Sequence, residues 1–290
     1  MRPADTWKDY ELLDATGGNR LERWGETLLV RPDPQVVWKN PPLSPLWSKA
    51  DAVYHRSSQG GGEWGIPPPS AGKWQIHCGE GDDRLTLIVS PTGFKHTGVF
   101  PEQAVNWAWY ARKIRAAGRP IKVLNLFGYT GGATLACAAA GATVCHVDAS
   151  KGIVQWGKDN AAASGLADRP IRWLVDDCGK FVARSSAGAI PTMPSSWTRP
   201  AMAAAPAVRS GSWRTAFMIC WPSVPRCSAI SRCSLRSTAT TGLSPAVMEY
   251  MLKTSLVPRF GVRPPAMRSA CRCLPPAVWP CGATAIWEQV

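Results

Sequence analysis

IKVLNLFGYTGGATLACAAAGATVCHVDAS, residues 121–150, carries the architecture of this chain. IKVLNLF (121–127) is a near-continuous apolar run, the pattern of a strand buried on both faces. A glycine turn follows, then a small-residue helix that Gly141 ends. TVCHVD (143–148) is a second strand, closing on an acid. Further out, GIVQWGKDNAAASG (152–165) reads as a helix and IRWLVDD (171–177) as a third strand ending in acids. Strand, helix, strand, helix, strand with short connections predicts right-handed crossovers and a parallel, doubly wound α/β sheet.

Upstream, PEQAVNWAWYARKIRAAG (101–118) predicts a helix with Pro101 at its first position and Gly118 just past its end. Val105, Trp109 and Ile114 fall near one face, with Arg112, Lys113 and Arg115 elsewhere. The first hundred residues hold short apolar stretches between turn residues, such as Thr27–Val30 and Arg84–Val89, and Ser57–Ser70 reads as a loop. The expected organisation is a β-rich subdomain over 1–103 and a Rossmann-like domain over 104–290.

The chain has 290 residues, 45% of them hydrophobic and 18% charged, enough for one large domain with a small partner. No run approaches the roughly 18 apolar residues of a membrane span. MRPADTWKDYELL has no apolar core of a secretory signal, so the expected compartment is the cytoplasm, with reduced cysteines. The net charge of +13 is unevenly placed. Residues 1–183 hold 21 Lys and Arg against 18 Asp and Glu, whereas 184–290 hold 12 against 2.

A buried strand running into a glycine turn and a helix N-terminus makes a nucleotide-type site. Gly128, Gly131 and Gly132 are expected to let a ligand approach backbone N–H groups that a Cβ would block. Asp148, 20 residues after Gly128, is placed to hold ribose hydroxyls, and Asp177 to meet an adenine amino group. Plain βα turns also favour Gly and Asp, but all three features in order point to a nucleoside ligand. A dinucleotide site is the alternative, and its GxGxxG pattern is absent.

NLFGYTGGATLACAAAGATVCHVDAS closely resembles the class I S-adenosylmethionine-dependent methyltransferases of the large-subunit ribosomal-RNA type. GFKHTGVFPEQAVNW (93–107) resembles that group's preceding motif, with Pro101-Glu102 where the commoner pattern has Leu-Asp. The resemblance spans about residues 5–183. It implies that Thr97, Gly98, Phe100 and Gln103 lie near the methionine part of S-adenosyl-L-methionine. It likewise implies that Phe127, Gly128, Tyr129, Thr130, Gly131, Asp148 and Asp177 line the rest of the cofactor. The implied activity is methyl transfer to a base of ribosomal RNA. A small-molecule methyltransferase and a noncatalytic chain are the alternatives, and no catalytic residue is assigned. Cys220, Cys227, Cys233, Cys271 and Cys273 lack CxxC spacing, so no metal is expected. His96 reads as structural.

The family's Asp-Pro-Pro-aromatic motif, which holds the target base, is missing. Residues 185–236 show neither the strand nor the helix period. Back-translating Pro194–Pro206 with suitable synonymous codons and reading one base earlier gives AIIMDPPSYGRGP. Trp197-Thr198 forces the Asp codon of that string, and Met202-Ala203 a Gly codon. The expectation is therefore two compensated frameshifts, over about 185–238 and 262–279, that leave both stretches irregular. Between them 240–261 reads as a helix, and 281–288 as a last strand.

Overall fold

Paired glycines set the first turns of the chain. Gly17 and Gly18, at φ 58° and 81°, form the two-residue loop of a hairpin between β2 (Tyr10–Thr16) and β3 (Asn19–Trp24). The computed structural model describes residues 2–4, 6–57, 61–65, 72–93 and 95–186. Beyond these it describes the backbone of four strands.

Two units divide the chain: Pro3–Ala104 with Ala270–Pro280, and Met1–Arg2 with Val105–Ser269 and Cys281–Val290. In the first, β2 and β3 continue into β4 (Thr27–Pro32), β5 (Ala52–Arg56) and β6 (Gly62–Trp64) as a five-stranded sheet. It is antiparallel except between β4 and β5. β7 (Trp74–Cys78) and β8 (Leu85–Val89) form a separate antiparallel pair. Leu13, Leu21 and Val30 centre a core that Leu28, Leu46, Trp47, Ala50 and Val53 cover. β6 lies inside the stretch expected as a loop: Gly62–Trp64 pairs with Tyr54–Arg56 and so satisfies its backbone there.

Beneath the hairpin the Glu22 carboxylate is fully buried. It accepts from Arg31 Nε at 2.6 Å, Arg31 Nη2 at 2.8 Å and Tyr10 Oη at 2.9 Å. Burial pushes its pKa up, but Arg31, Arg20 and Tyr10 outweigh that and hold it at about 2.

A 3₁₀ turn at Pro101–Gln103, at the end of the first unit, leads into α1 (Ala104–Ala116), which runs on into the second, with Gly118 at φ 60° after it. Trp109 and Ile114 are buried and Arg112, Lys113 and Arg115 exposed. β9 (Ile121–Leu126), α2 (Gly132–Ala139), β10 (Thr143–Asp148), α3 (Lys151–Ala163) and β11 (Ile171–Val175) follow. The three strands pair in parallel, in the order β9-β10-β11. β11 stops at Val175, because Asp177 caps α4 (Cys178–Ser186), a helix the sequence pattern did not suggest.

On the other side of β9 the sheet is mixed rather than parallel, and the parts of 185–238 and 262–279 that are described beyond residue 186 are strands, the rest of both stretches lying outside the described residues. β12 (Thr215–Pro222), β13 (Ser234–Ala239), β14 (Ala266–Arg272) and β15 (Val278–Glu288) are strands. With β1 (Arg2–Pro3) they complete an eight-stranded mixed sheet, β1-β14-β15-β13-β12-β9-β10-β11. β12 runs antiparallel to β9, with Phe217 opposite Leu126 and Pro222 opposite Ile121. The apolar run TAFMICWP has strand length and composition, and pairing beside β9 satisfies its backbone without any helical period. The expected helix over 240–261 lies outside the described residues.

Candidate functional site

Because β9, β10 and β11 are parallel, their carboxyl ends share one edge of the sheet. There the turn Phe127–Gly131 meets Asp148 and Asp177. The turn is built in an unexpected way. Phe127 and Tyr129 have φ of 53° and 51°, and Gly131 has 89°, while Gly128 and Gly132 are not left-handed. Two bulky residues therefore carry the strained conformation, and two glycines do not need it.

Hydrogen bonds, all but one of them to groups outside the turn, fix this strain in place. Phe127 N–H donates to Cys178 Sγ at 3.2 Å, Gly128 N–H to Val147 O at 3.0 Å, and Tyr129 N–H to Asp148 Oδ2 at 3.0 Å. Gly131 N–H donates to Gly128 O at 3.0 Å, and Asn160 Nδ2 on α3 donates to Thr130 O at 2.8 Å. Burial pushes the Cys178 thiol up to about 12, so it keeps its proton and donates it to Val147 O.

The glycines also have internal reasons for lacking a side chain. A Cβ on Gly128 would land on the His146 ring, and one on Gly132 on the Trp107 indole. Gly131 approaches Gly157 of α3, where a Cβ would come within 3.5 Å of its Cα. Close packing of turn, helices and strands demands small residues here.

Asp148 is half-buried. Its Oδ1 accepts from Ser150 N at 3.1 Å, so each carboxylate oxygen holds one backbone N–H and keeps further lone pairs. Asp177 is exposed, its Oδ1 accepting from Lys180 N at 2.8 Å as the cap of α4. Register sets Asp148 opposite Val175, and Asp176 N–H bonds Asp148 O at 2.9 Å, so the two acidic strand ends are neighbours.

Thr97, Phe100 and Gln103 belong to the first unit. Thr97 is fully buried, and its hydroxyl has no partner among the described residues. The His96 ring packs edge-on against Phe100, 5.4 Å between centroids. Gln103 N–H closes the 3₁₀ turn onto Phe100 O. Glu102, beside it, is buried, which pushes its carboxyl up to about 7. Sequence reasoning passed over Asn125, Thr134, His146, Asn160 and Cys178. The available signal was a histidine and an asparagine inside otherwise apolar strands, beside a glycine-rich turn. Among the described residues no three His, Cys, Asp or Glu form a metal-binding group, and no helix is long and apolar enough to cross a membrane.

A doubly wound sheet whose first strand runs into a glycine turn, with acids ending the next two strands, is the fold of the S-adenosylmethionine-dependent methyltransferases. A solved structure of such an enzyme from Agrobacterium tumefaciens matches it over 100% of this chain and 93% of its own, with TM-score 0.76 and 28% identity. Among curated proteins the chain is similar to the ribosomal RNA large subunit methyltransferase K/L of Shewanella sp. (strain W3-18-1), 37% identical over 92 residues. That match covers 31% of this chain and 12% of the relative. The protein of the same name from Pseudomonas aeruginosa is 32% identical over 137 residues, 44% of this chain and 18% of its own. The chain therefore spans less than a fifth of the length of these curated relatives. No protein-family model matches the chain.

Proposed function

We propose that this chain has the fold and cofactor site of an S-adenosyl-L-methionine-dependent methyltransferase, whose frame-restored form acts on a base of ribosomal RNA in the cytoplasm. The observation that carries the reading is the preformed turn braced on Asp148, in a fold matched along the whole chain by a methyltransferase. The residues present suit the cofactor. Asp148 has charged acceptors free for two ribose hydroxyls, and exposed Asp177 can accept from the adenine amino group. Residues 1–103 serve as a β-rich subdomain and 104–290 as the cofactor domain.

When bound, S-adenosylmethionine supplies a methyl group activated on a sulfonium. This chain's part is to position: Asp148 and Asp177 orient the nucleoside, and the internally bonded turn presents a fixed surface to it. The acceptor in this reading is a base nitrogen, with no covalent intermediate on the protein. The strand running into Asp-Pro-Pro-aromatic that would hold the base is recovered only when the frame over 185–238 is restored.

Two measurements test this. Titration calorimetry with S-adenosylhomocysteine is expected to give one site per chain. The frame-restored protein is expected to transfer labelled methyl to undermethylated ribosomal RNA, and the chain as it stands is not. Transfer to small acceptors alone would move the assignment to a small-molecule methyltransferase. Absence of cofactor binding by the frame-restored protein would remove it.

A further inference from the structure

Asn125, His146 and Trp173 stand side by side on three neighbouring strands, since His146 is the register partner of both others. Thr134 of α2 closes over the row. Asn125 Nδ2 donates to Thr134 Oγ1 at 2.9 Å, and that oxygen lies 2.9 Å from His146 Nδ1. All three of these side chains are buried, and the Trp173 ring lies against the imidazole at 4.6 Å between centroids. The imidazole is therefore held from three sides. Its remaining edge faces Gly128, where a Cβ would collide with it. Gly128 is not left-handed, so its backbone admits alanine. The three atoms nearest to a side chain there are all in the ring.

We propose that His146 is a positioning residue for the cofactor turn: its ring is the floor that sets the height of Gly128. Gly128 N–H then reaches Val147 O, and the next residue's N–H reaches Asp148, which orients the carboxylate. The proposal rests on the reading of this turn as the S-adenosylmethionine site.

The test is a double-mutant cycle of Gly128→Ala and His146→Ala, read by S-adenosylhomocysteine affinity and by melting temperature. Gly128→Ala is expected to weaken binding by about tenfold or more in the native background, and by about threefold or less when His146 is alanine. Equal losses in both backgrounds would overturn the contact. Val123→Ala, a buried truncation in the middle of β9, supplies the control: it lowers the melting temperature and leaves affinity within about twofold. If His146→Ala does the same, the residue is merely structural and the positioning role is wrong. If the native chain binds no S-adenosylhomocysteine, the affinities are read in the frame-restored protein; if that binds none either, the cofactor reading fails, and the contact is judged by melting temperature alone. There, Gly128→Ala must destabilise the native background and not the His146→Ala one.

Discussion

Replacing Asp148 by alanine removes one carboxylate that serves two purposes, and the structure lets them be weighed separately. Within the protein it accepts Tyr129 N–H at 3.0 Å and Ser150 N–H at 3.1 Å. Ser150 is exposed, so water replaces that bond at little cost. Tyr129 is half-buried and held at φ 51°, so losing its acceptor should cost about 1–2 kcal/mol of stability. Toward the ligand, two ribose hydroxyls lose a charged acceptor, worth about 1–3 kcal/mol, or roughly 5- to 150-fold in affinity. Asp148→Asn keeps only one acceptor oxygen and turns an N–H donor toward one backbone N–H, so it should fall between native and alanine. Calorimetry with S-adenosylhomocysteine and urea unfolding, run on the same samples, separate the terms. If stability falls and affinity stays within about twofold, the carboxylate serves the turn only and the ribose assignment is refuted.

Arg31→Met should cost about 3–5 kcal/mol in urea unfolding, because it strands the buried Glu22 carboxylate; a change below about 1 kcal/mol would contradict the pairing. With Glu22 held at about 2 against 4.5 unfolded, its contribution is present above pH 4.5 and lost as pH falls toward 2. His146 works at higher pH: burial holds it at about 4 against 6.5, so the unfolded chain takes a proton that the folded chain refuses. Stability is then full above pH 6.5 and drops by about 3 kcal/mol as pH approaches 4, a slope that urea titrations of His146→Gln should lack. Burial pushes the Cys78, Cys145 and Cys178 thiols up to about 12, so mass spectrometry after iodoacetamide at pH 8 should find them unmodified unless denaturant is added.

The parallel core was legible because its signal is local. β9, β10 and β11 are apolar runs of strand length, each ending at a glycine or an acid. The edge where Asp148 and Asp177 sit followed from topology alone. What could not be read is whatever depends on a neighbour distant in sequence. Nothing in the letters shows the His146 ring packed beside Gly128, and Asp177 looks like part of a strand until α4 starts on it. The direction of β12 was equally hidden, since an apolar octamer pairs either way and only tertiary context chooses. The Gly17-Gly18 hairpin, by contrast, was available in the letters: two glycines between alternating segments are a turn signal.

The left-handed aromatics of the turn bear on the order in which the chain assembles. Phe127 and Tyr129 hold a conformation that costs bulky residues about 1–2 kcal/mol each in isolation. Their restraints lie far along the chain, 19 residues away at Asp148 and 51 at Cys178. A nascent chain has neither in place when β9 forms, so the turn cannot seed folding. It closes after β10 has docked on β9 and α4 has begun, which makes it a latch rather than a nucleus. Loosening it should speed unfolding and leave the rate of folding nearly unchanged.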